Sequence, residues 1–333
     1  MLNENKLLLE CIKFNFNHKK IKKLLKKTDF DYLLNVARTH GVEQLLYYRL
    51  KGYNLKINKK LSEYYYGNTA RNIIIYNELK NLVNILNKNK IDFLVLKGTA
   101  LAVSCYKNIA LRQMSDIDIS IKIEDKEKLK KILKNYKLIV NEEYEKKNNE
   151  LQYIKRIKDF KLLIEFSWDL RPLYVKDYFL FKNNKKIFYK DFSFNALKDE
   201  DNIIFLITHL KEHHNYYGLH WLADLDWLIS KKIDYGYLIR KAKKYNKLNE
   251  LYFTLFLINN LFKTKTKKIY LNNPFRFINY LILKLILNNN YLFNTKKIGF
   301  DNYKKRLVNA FFEKNFLKRI KGLYYLFMHY FFG

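Results

Sequence analysis

Apolar positions in the first ninety residues fall at three- and four-residue steps. Leu7-Leu8-Leu9, Ile21, Leu24-Leu25, Leu33-Leu34, Ala37, Val42, Leu45-Leu46 and Leu50 keep that spacing, which is the pattern of amphipathic helices. Residues 61–86 continue it through Tyr64, Ile73, Leu79, Leu82 and Leu86. The period then changes. Phe93-Leu94-Val95-Leu96 is a short apolar block between Asp92 and Lys97-Gly98, and it predicts a buried strand that opens into a helix. Residues 116–123 alternate polar and apolar side chains, which predicts a half-buried strand. Glu124-Asp125 follow it, and acids at that point suit the positive end of a helix running through Leu129 and Leu133.

Residues 151–154 and 160–166 read as two more extended stretches, with a turn expected at the polar residues 146–149 and a last strand at 186–189. From Asp199 the helical period returns and persists to the C-terminus. The expectation is an α+β chain: a helical region over 1–90, a small mixed sheet with helices over 91–198, and a second helical region over 199–333. No Gly/Ser linker, internal repeat or heptad seam interrupts it.

Composition narrows the classes. With 49% hydrophobic residues over 333 positions, the chain has apolar surface enough to offset ordering entropy, which excludes a disordered protein. The 64 Lys and Arg against 32 Asp and Glu give a formal charge of +32, which raises the question of a polyanion partner. Its distribution bears on the answer, because the three regions carry +11, +8 and +13. A spread this even, dominated by Lys beside abundant Asn, Ile, Tyr and Phe, also fits drift toward A/T-rich codons. Both readings stand: background composition, or a surface for nucleic acid or anionic membrane. Cys11 and Cys105 lack any Cys-x-x-Cys partner and fit a reducing cytosol. No leader-like apolar segment and no run of 18 uncharged apolar residues is present, so no integral membrane segment is predicted and a cytoplasmic location is expected.

The candidate chemistry lies in the α/β region. Asp116 and Asp118 are two apart on a predicted strand, so both carboxylates face one side. Side by side they repel and raise each other's pKa unless a cation sits between them. Hard oxygen ligands with phosphate partners specify Mg²⁺. Glu165 interrupts an otherwise apolar stretch and supplies a third acid from another strand. Lys97-Gly98-Thr99 sits where a strand turns into a helix, so Gly98 lets the backbone approach a phosphate near helix N–H groups. Two metals held by such acids serve phosphoryl or nucleotidyl transfer. The bland alternatives are a solvated strand face for the two aspartates, a turn cap for Lys97 and a structural ion pair for Arg112.

Leu96-Lys97-Gly98-Thr99-Ala100-Leu101, then Tyr106, Arg112 and Ser115-Asp116-Ile117-Asp118, resemble the bacterial uncharacterised nucleotidyltransferase family of the DNA polymerase β-like superfamily. Ile164-Glu165-Phe166-Ser167-Trp168 resembles that family's acidic strand, with Ser167 where His is usual. The histidine-bearing stretch around 209–227 is also similar, and the likeness runs from about 36 to about 230. The resemblance implies a polymerase-β-like palm embedded between helical regions. It implies a metal-dependent enzyme moving an NMP, AMP above all, from an NTP such as ATP to a hydroxyl-bearing acceptor: a small molecule, a peptide or RNA. Asp116, Asp118 and Glu165 would be the catalytic and metal-binding acids for two Mg²⁺ ions. Lys97, Gly98, Thr99 and Arg112 would bind the nucleotide. The alternative is a non-catalytic nucleotide- or RNA-binding module that keeps the palm.

His209, His213, His214 and His220 form a cluster. The four-residue spacing of His209 and His213 puts both on one helix face, which suits a metal, but no Cys or HExxH pattern accompanies them. An acceptor pocket lined by His209 and His213, or structural histidines, is the expectation. Asp224 and Asp226, two apart in a helix, do not share a face and read as capping or pairing residues. The basic and then aromatic residues 316–332 read either as a last packed helix or as a membrane-surface segment.

Overall fold

The computed structural model describes residues 1–134, 136, 138–140, 150–157, 160–168, 170, 179–264, 266, 291–293 and 295. The expected turn at 146–149 and the basic-aromatic stretch at 316–332 lie outside them. Five helices come first: α1 (Asn3–Ile12), α2 (His18–Leu25), α3 (Phe30–Thr39), α4 (Glu43–Leu50) and the long α5 (Asn58–Lys88). The α/β part follows as β1 (Phe93–Val95), α6 (Lys97–Ser104), β2 (Asp116–Ile121), α7 (Lys126–Lys134), β3 (Ile139–Val140), β4 (Leu151–Ile157), β5 (Phe160–Trp168), α8 (Phe179–Lys182), β6 (Asn184–Tyr189) and β7 (Phe192–Leu197). Then come α9 (Asp199–His214), α10 (Leu219–Ile229), α11 (Tyr235–Lys244) and α12 (Leu248–Phe262). The α+β class expected from the pattern is what the structure has, and β7 is an added strand.

Among the described residues seven strands form one mixed sheet in the order β3-β4-β5-β2-β1-β7-β6. Strand β2 pairs antiparallel with β1 and parallel with β5, which puts it in the middle. That position explains a departure from expectation. Alternation predicts a half-buried strand, yet every residue of β2 after Asp116 is buried. Its polar side is enclosed: Ser120 is fully buried and its hydroxyl accepts the Leu170 N–H at 3.1 Å.

Among the described residues two apolar cores organise the fold. One joins the sheet to the second half of α5, through Ile75, Leu79, Ile117, Ile119, Ile164 and Phe166. The other merges helices from both ends of the chain, with Leu7, Leu34 and Leu46 packed together with Leu206, Leu225 and Phe253. Trp227 Nε1 donates to the Ile12 carbonyl at 2.9 Å, and the Phe14 N–H donates to Asp226 at 2.7 Å. The two helical regions, distant in sequence, therefore share one core. Among the described residues no helix is long and apolar enough to cross a membrane.

Helix α5 turns partly polar residues inward. The periodicity reading places Ile73 on the apolar face, but Ile73 is exposed while Asn68 and Asn72 are buried. The reason is hydrogen bonding. Asn68 Nδ2 donates to the Ala110 carbonyl at 3.0 Å, and Asn72 Nδ2 donates to the Ile109 and Arg112 carbonyls at 2.5 and 2.8 Å. Tyr76 Oη donates to the Thr99 carbonyl at 2.5 Å. A buried loop needs such partners, and α5 thereby holds both segments that border the cleft described next.

Candidate active site

Strand pairing assembles the acids. In the parallel register Asp118 lies directly beside Glu165, and Asp116 lies one pleat repeat back along β2. Ligand oxygens of Asp116, Asp118 and Glu165 all lie within 4.8 Å of one another. Adjacent like charges in a sheet are destabilising, and here burial sharpens the conflict. Desolvation and then the Asp118 charge push Asp116 up to about 7. The same two causes raise Glu165, against the opposing pull of Lys97 and of a 2.8 Å hydrogen bond from Gln152 Nε2.

Lys97 sits in the left-handed region, φ +50, at the corner between β1 and α6. Its Nζ lies 2.6 Å from Asp118 Oδ1. Burial alone would pull the ammonium down, but the carboxylates of Asp118, Glu165 and Asp116 outweigh it and hold Lys97 above its ordinary value. Gly98 follows at the first turn of α6, whose start has no side-chain cap. A Cβ at Gly98 would come 3.2 Å from Met114 Cγ, so a larger residue would crowd the cleft floor. Thr99 follows in the same turn of α6. It is buried and does not line the cleft; its hydroxyl donates to the Asp116 carbonyl at 3.3 Å.

Lys97, Gly98, Asp116, Asp118 and Glu165 line a cleft of about 470 Å³. Arg112 lines it too, but its guanidinium is already paired: Nε and Nη2 reach Asp224 at 2.8–3.0 Å, and Tyr106 Oη donates to the same carboxylate at 2.8 Å. Asp226 accepts from Phe14 N–H and from Thr264 Oγ1. Structural pairing, the expected role of Asp224 and Asp226, is what they show.

An aromatic wall from α9 and α10 lines the same cleft. His209 Nε2 lies 3.1 Å from His214 Nε2, and the rings of His209 and His213 are 4.8 Å apart. His214 stacks on Trp221 at 4.8 Å, and Arg112 lies 5.0 Å from the Trp221 ring. Gly218 sets the approach, with φ +111 and a would-be Cβ only 2.9 Å from Trp221 Cδ1; no side chain fits there. Burial lowers all four histidines, with the Lys97 charge adding to it for His209 and His213, and His214 falls to about 4. The wall is therefore uncharged at neutral pH. Among the described residues the acids, and not the histidines, form the group with metal-holding geometry.

The cleft brings together Asp116, Asp118, Glu165, Lys97, Gly98, Arg112, His209 and His213. Gln113, Glu150 and Trp221 also line it and were not singled out as site residues from sequence. For Trp221 a signal existed in the Trp-x-x-Asp pattern it forms with Asp224; for Gln113 and Glu150 none did. A site of carboxylates, one ammonium and an uncapped helix start can hold divalent cations and a polyphosphate beside a neutral pocket. In comparisons with known proteins, a family described as uncharacterised nucleotidyltransferase matches residues 26–263. No curated protein matches the chain.

Proposed function

Because the chain belongs to that nucleotidyltransferase family, we propose that it transfers an NMP, AMP in the first instance, from an NTP to a hydroxyl-bearing acceptor. The observation that carries this reading is the carboxylate triad within 4.8 Å. One buried and two half-buried acids beside one ammonium leave an excess of negative charge that divalent cations would balance, so the donor set fits Mg²⁺. Asp116 and Asp118 would hold two such ions and Glu165 would complete the second position. When bound, the ions would polarise the acceptor hydroxyl and offset charge on the triphosphate.

The chain's own residues would do the rest. Glu165, raised in pKa by burial, would take the hydroxyl proton as the hydroxyl oxygen attacks the α-phosphorus. The bond from that phosphorus to its bridging oxygen breaks and pyrophosphate leaves with the electron pair. Lys97 and the N–H groups at Gly98 and Thr99 would bear on the β- and γ-phosphates. Arg112, paired with Asp224, would offset charge on the pyrophosphate only at short range and would hold the Trp221 side of the cleft. His209 and His213 would border the acceptor. Such catalysis is mostly positioning and electrostatics. The retained triad argues against a non-catalytic nucleotide- or RNA-binding module, because an enzyme that has lost its activity is under no pressure to keep three mutually repelling carboxylates.

The test is Mg²⁺-dependent transfer of label from α-³²P-ATP, with pyrophosphate release, across small-molecule, peptide and RNA acceptors. The expected result is activity in the wild type and a loss of more than about a thousandfold in Asp116→Asn/Asp118→Asn. Equal behaviour of the two proteins on every acceptor would defeat the enzyme reading.

A further inference from the structure

Resting on the metal-site reading above, we infer that Lys97 is a mobile counter-ion that fills the cation site until nucleotide arrives. Its Nζ contacts Asp118 Oδ1 at 2.6 Å, inside a carboxylate group whose ligand atoms span only 4.8 Å. An incoming divalent cation and the ammonium therefore compete for one carboxylate. They also repel each other at short range in a partly desolvated cleft, where such repulsion is weakly screened.

The side chain has somewhere else to go. Lys97 lines the cleft beside Gly98 and the uncapped first turn of α6, the place suited to a polyphosphate. Its four-carbon stem lets a point charge move several ångströms without backbone change. The backbone at Lys97 is in the left-handed region, so the stem is aimed by a fixed corner rather than by a helix face. Binding of the triphosphate would draw Lys97 off Asp118, and the vacated carboxylate would take the metal. Metal and nucleotide then help one another, and by thermodynamic reciprocity each tightens the other by the same factor. Metal without nucleotide is disfavoured, which keeps a hydrolytically competent site from standing ready in the free protein.

The experiment is Mn²⁺ binding without nucleotide, followed by EPR of free Mn²⁺, for the full chain, Lys97→Met and Lys97→Arg. Lys97→Met is expected to bind at least about tenfold more tightly than wild type, and Lys97→Arg no more tightly. A second measurement needs no variant. Acetylation of Lys97 by acetic anhydride, read by mass spectrometry, is expected to rise when Mg²⁺ alone is raised to saturation. It is expected to fall when α,β-methylene-ATP is added. Equal Mn²⁺ affinity in wild type and Lys97→Met, or labelling indifferent to Mg²⁺, overturns the inference and leaves the metal site standing. No Mn²⁺ binding by any of the three proteins overturns the metal-site reading itself. If Lys97→Met does not fold, the labelling result decides.

Discussion

At Arg112 the buried charges are matched, and at Lys97 they are not. Arg112 and Asp224, 112 positions apart in sequence, are both buried and joined by three hydrogen bonds, with Tyr106 Oη on the same carboxylate. In the same cleft, Lys97 faces Asp116, Asp118 and Glu165. The first cluster closes its own account of donors and acceptors and fixes a loop to a helix. The second keeps an imbalance that no folding advantage explains, since crowded acids raise one another's pKa and weaken the folded state. An imbalance maintained at the centre of a sheet is what a site for an external cation requires.

The largest effect expected from breaking this contrast is a difference in sign. Asp224→Ala leaves the Arg112 guanidinium buried and unpaired, which costs roughly 3–5 kcal/mol. Asp116→Asn removes a carboxylate just as completely, but it relieves repulsion and should stabilise the metal-free protein by roughly 2 kcal/mol at pH 8. Urea denaturation of both variants beside wild type measures the difference. Destabilisation of similar size in both would mean that the triad is as structural as the Arg112 pair.

The two clusters also differ in how far they could be read from sequence. Asp116 and Asp118 stand out because the two-residue period of a strand puts them on one face whatever their neighbours. Glu165 stands out as an acid in an apolar run, but its place beside Asp118 depends on a parallel register that only tertiary packing sets. Arg112 and Asp224 each read as pairing residues, but nothing local marks them as partners of one another, since that pairing depends on α10 being brought across the chain by the shared helical core. The same reason hid the inward face of α5, where Asn68 and Asn72 are chosen by distant carbonyls and not by helical period. β7 was missed although Phe192, Phe194 and Ala196 alternate with Ser193 and Asn195. Toward the middle of the sheet it pairs with β1, Ala196 beside Val95, about a hundred residues earlier.

A smaller effect sharpens the neutral side of the cleft. His40 packs against Tyr217, accepts the Leu219 N–H at 3.4 Å, and its carbonyl meets His220 Nδ1 at 2.9 Å. Burial lowers its pKa from 6.5 to about 4. The unfolded chain therefore takes up the proton first as pH falls. The stability linked to neutral His40 is complete above pH 6.5 and drains away between 6.5 and about 4, by up to roughly 3 kcal/mol. Urea midpoints recorded over that range should fall more steeply for wild type than for His40→Gln. Parallel slopes would show that His40 is hydrated enough to titrate normally.

The smallest expected effect lies next to the acids. Gln152 stands directly opposite Glu165 in the β4–β5 register, and its amide donates to Oε1 at 2.8 Å. That hydrogen bond orients one carboxylate oxygen and favours its charged form, so it partly offsets the burial that raises Glu165. Gln152→Leu keeps the volume in the strand and removes the donor. If Glu165 is a metal ligand, loss of the partner that orients it should weaken Mn²⁺ binding by about tenfold, with the urea midpoint nearly unchanged. If Glu165 is instead one more structural acid, the order reverses: stability drops and Mn²⁺ affinity holds. Measuring both on the same preparation therefore assigns Glu165 to the mismatched cluster or to the matched one.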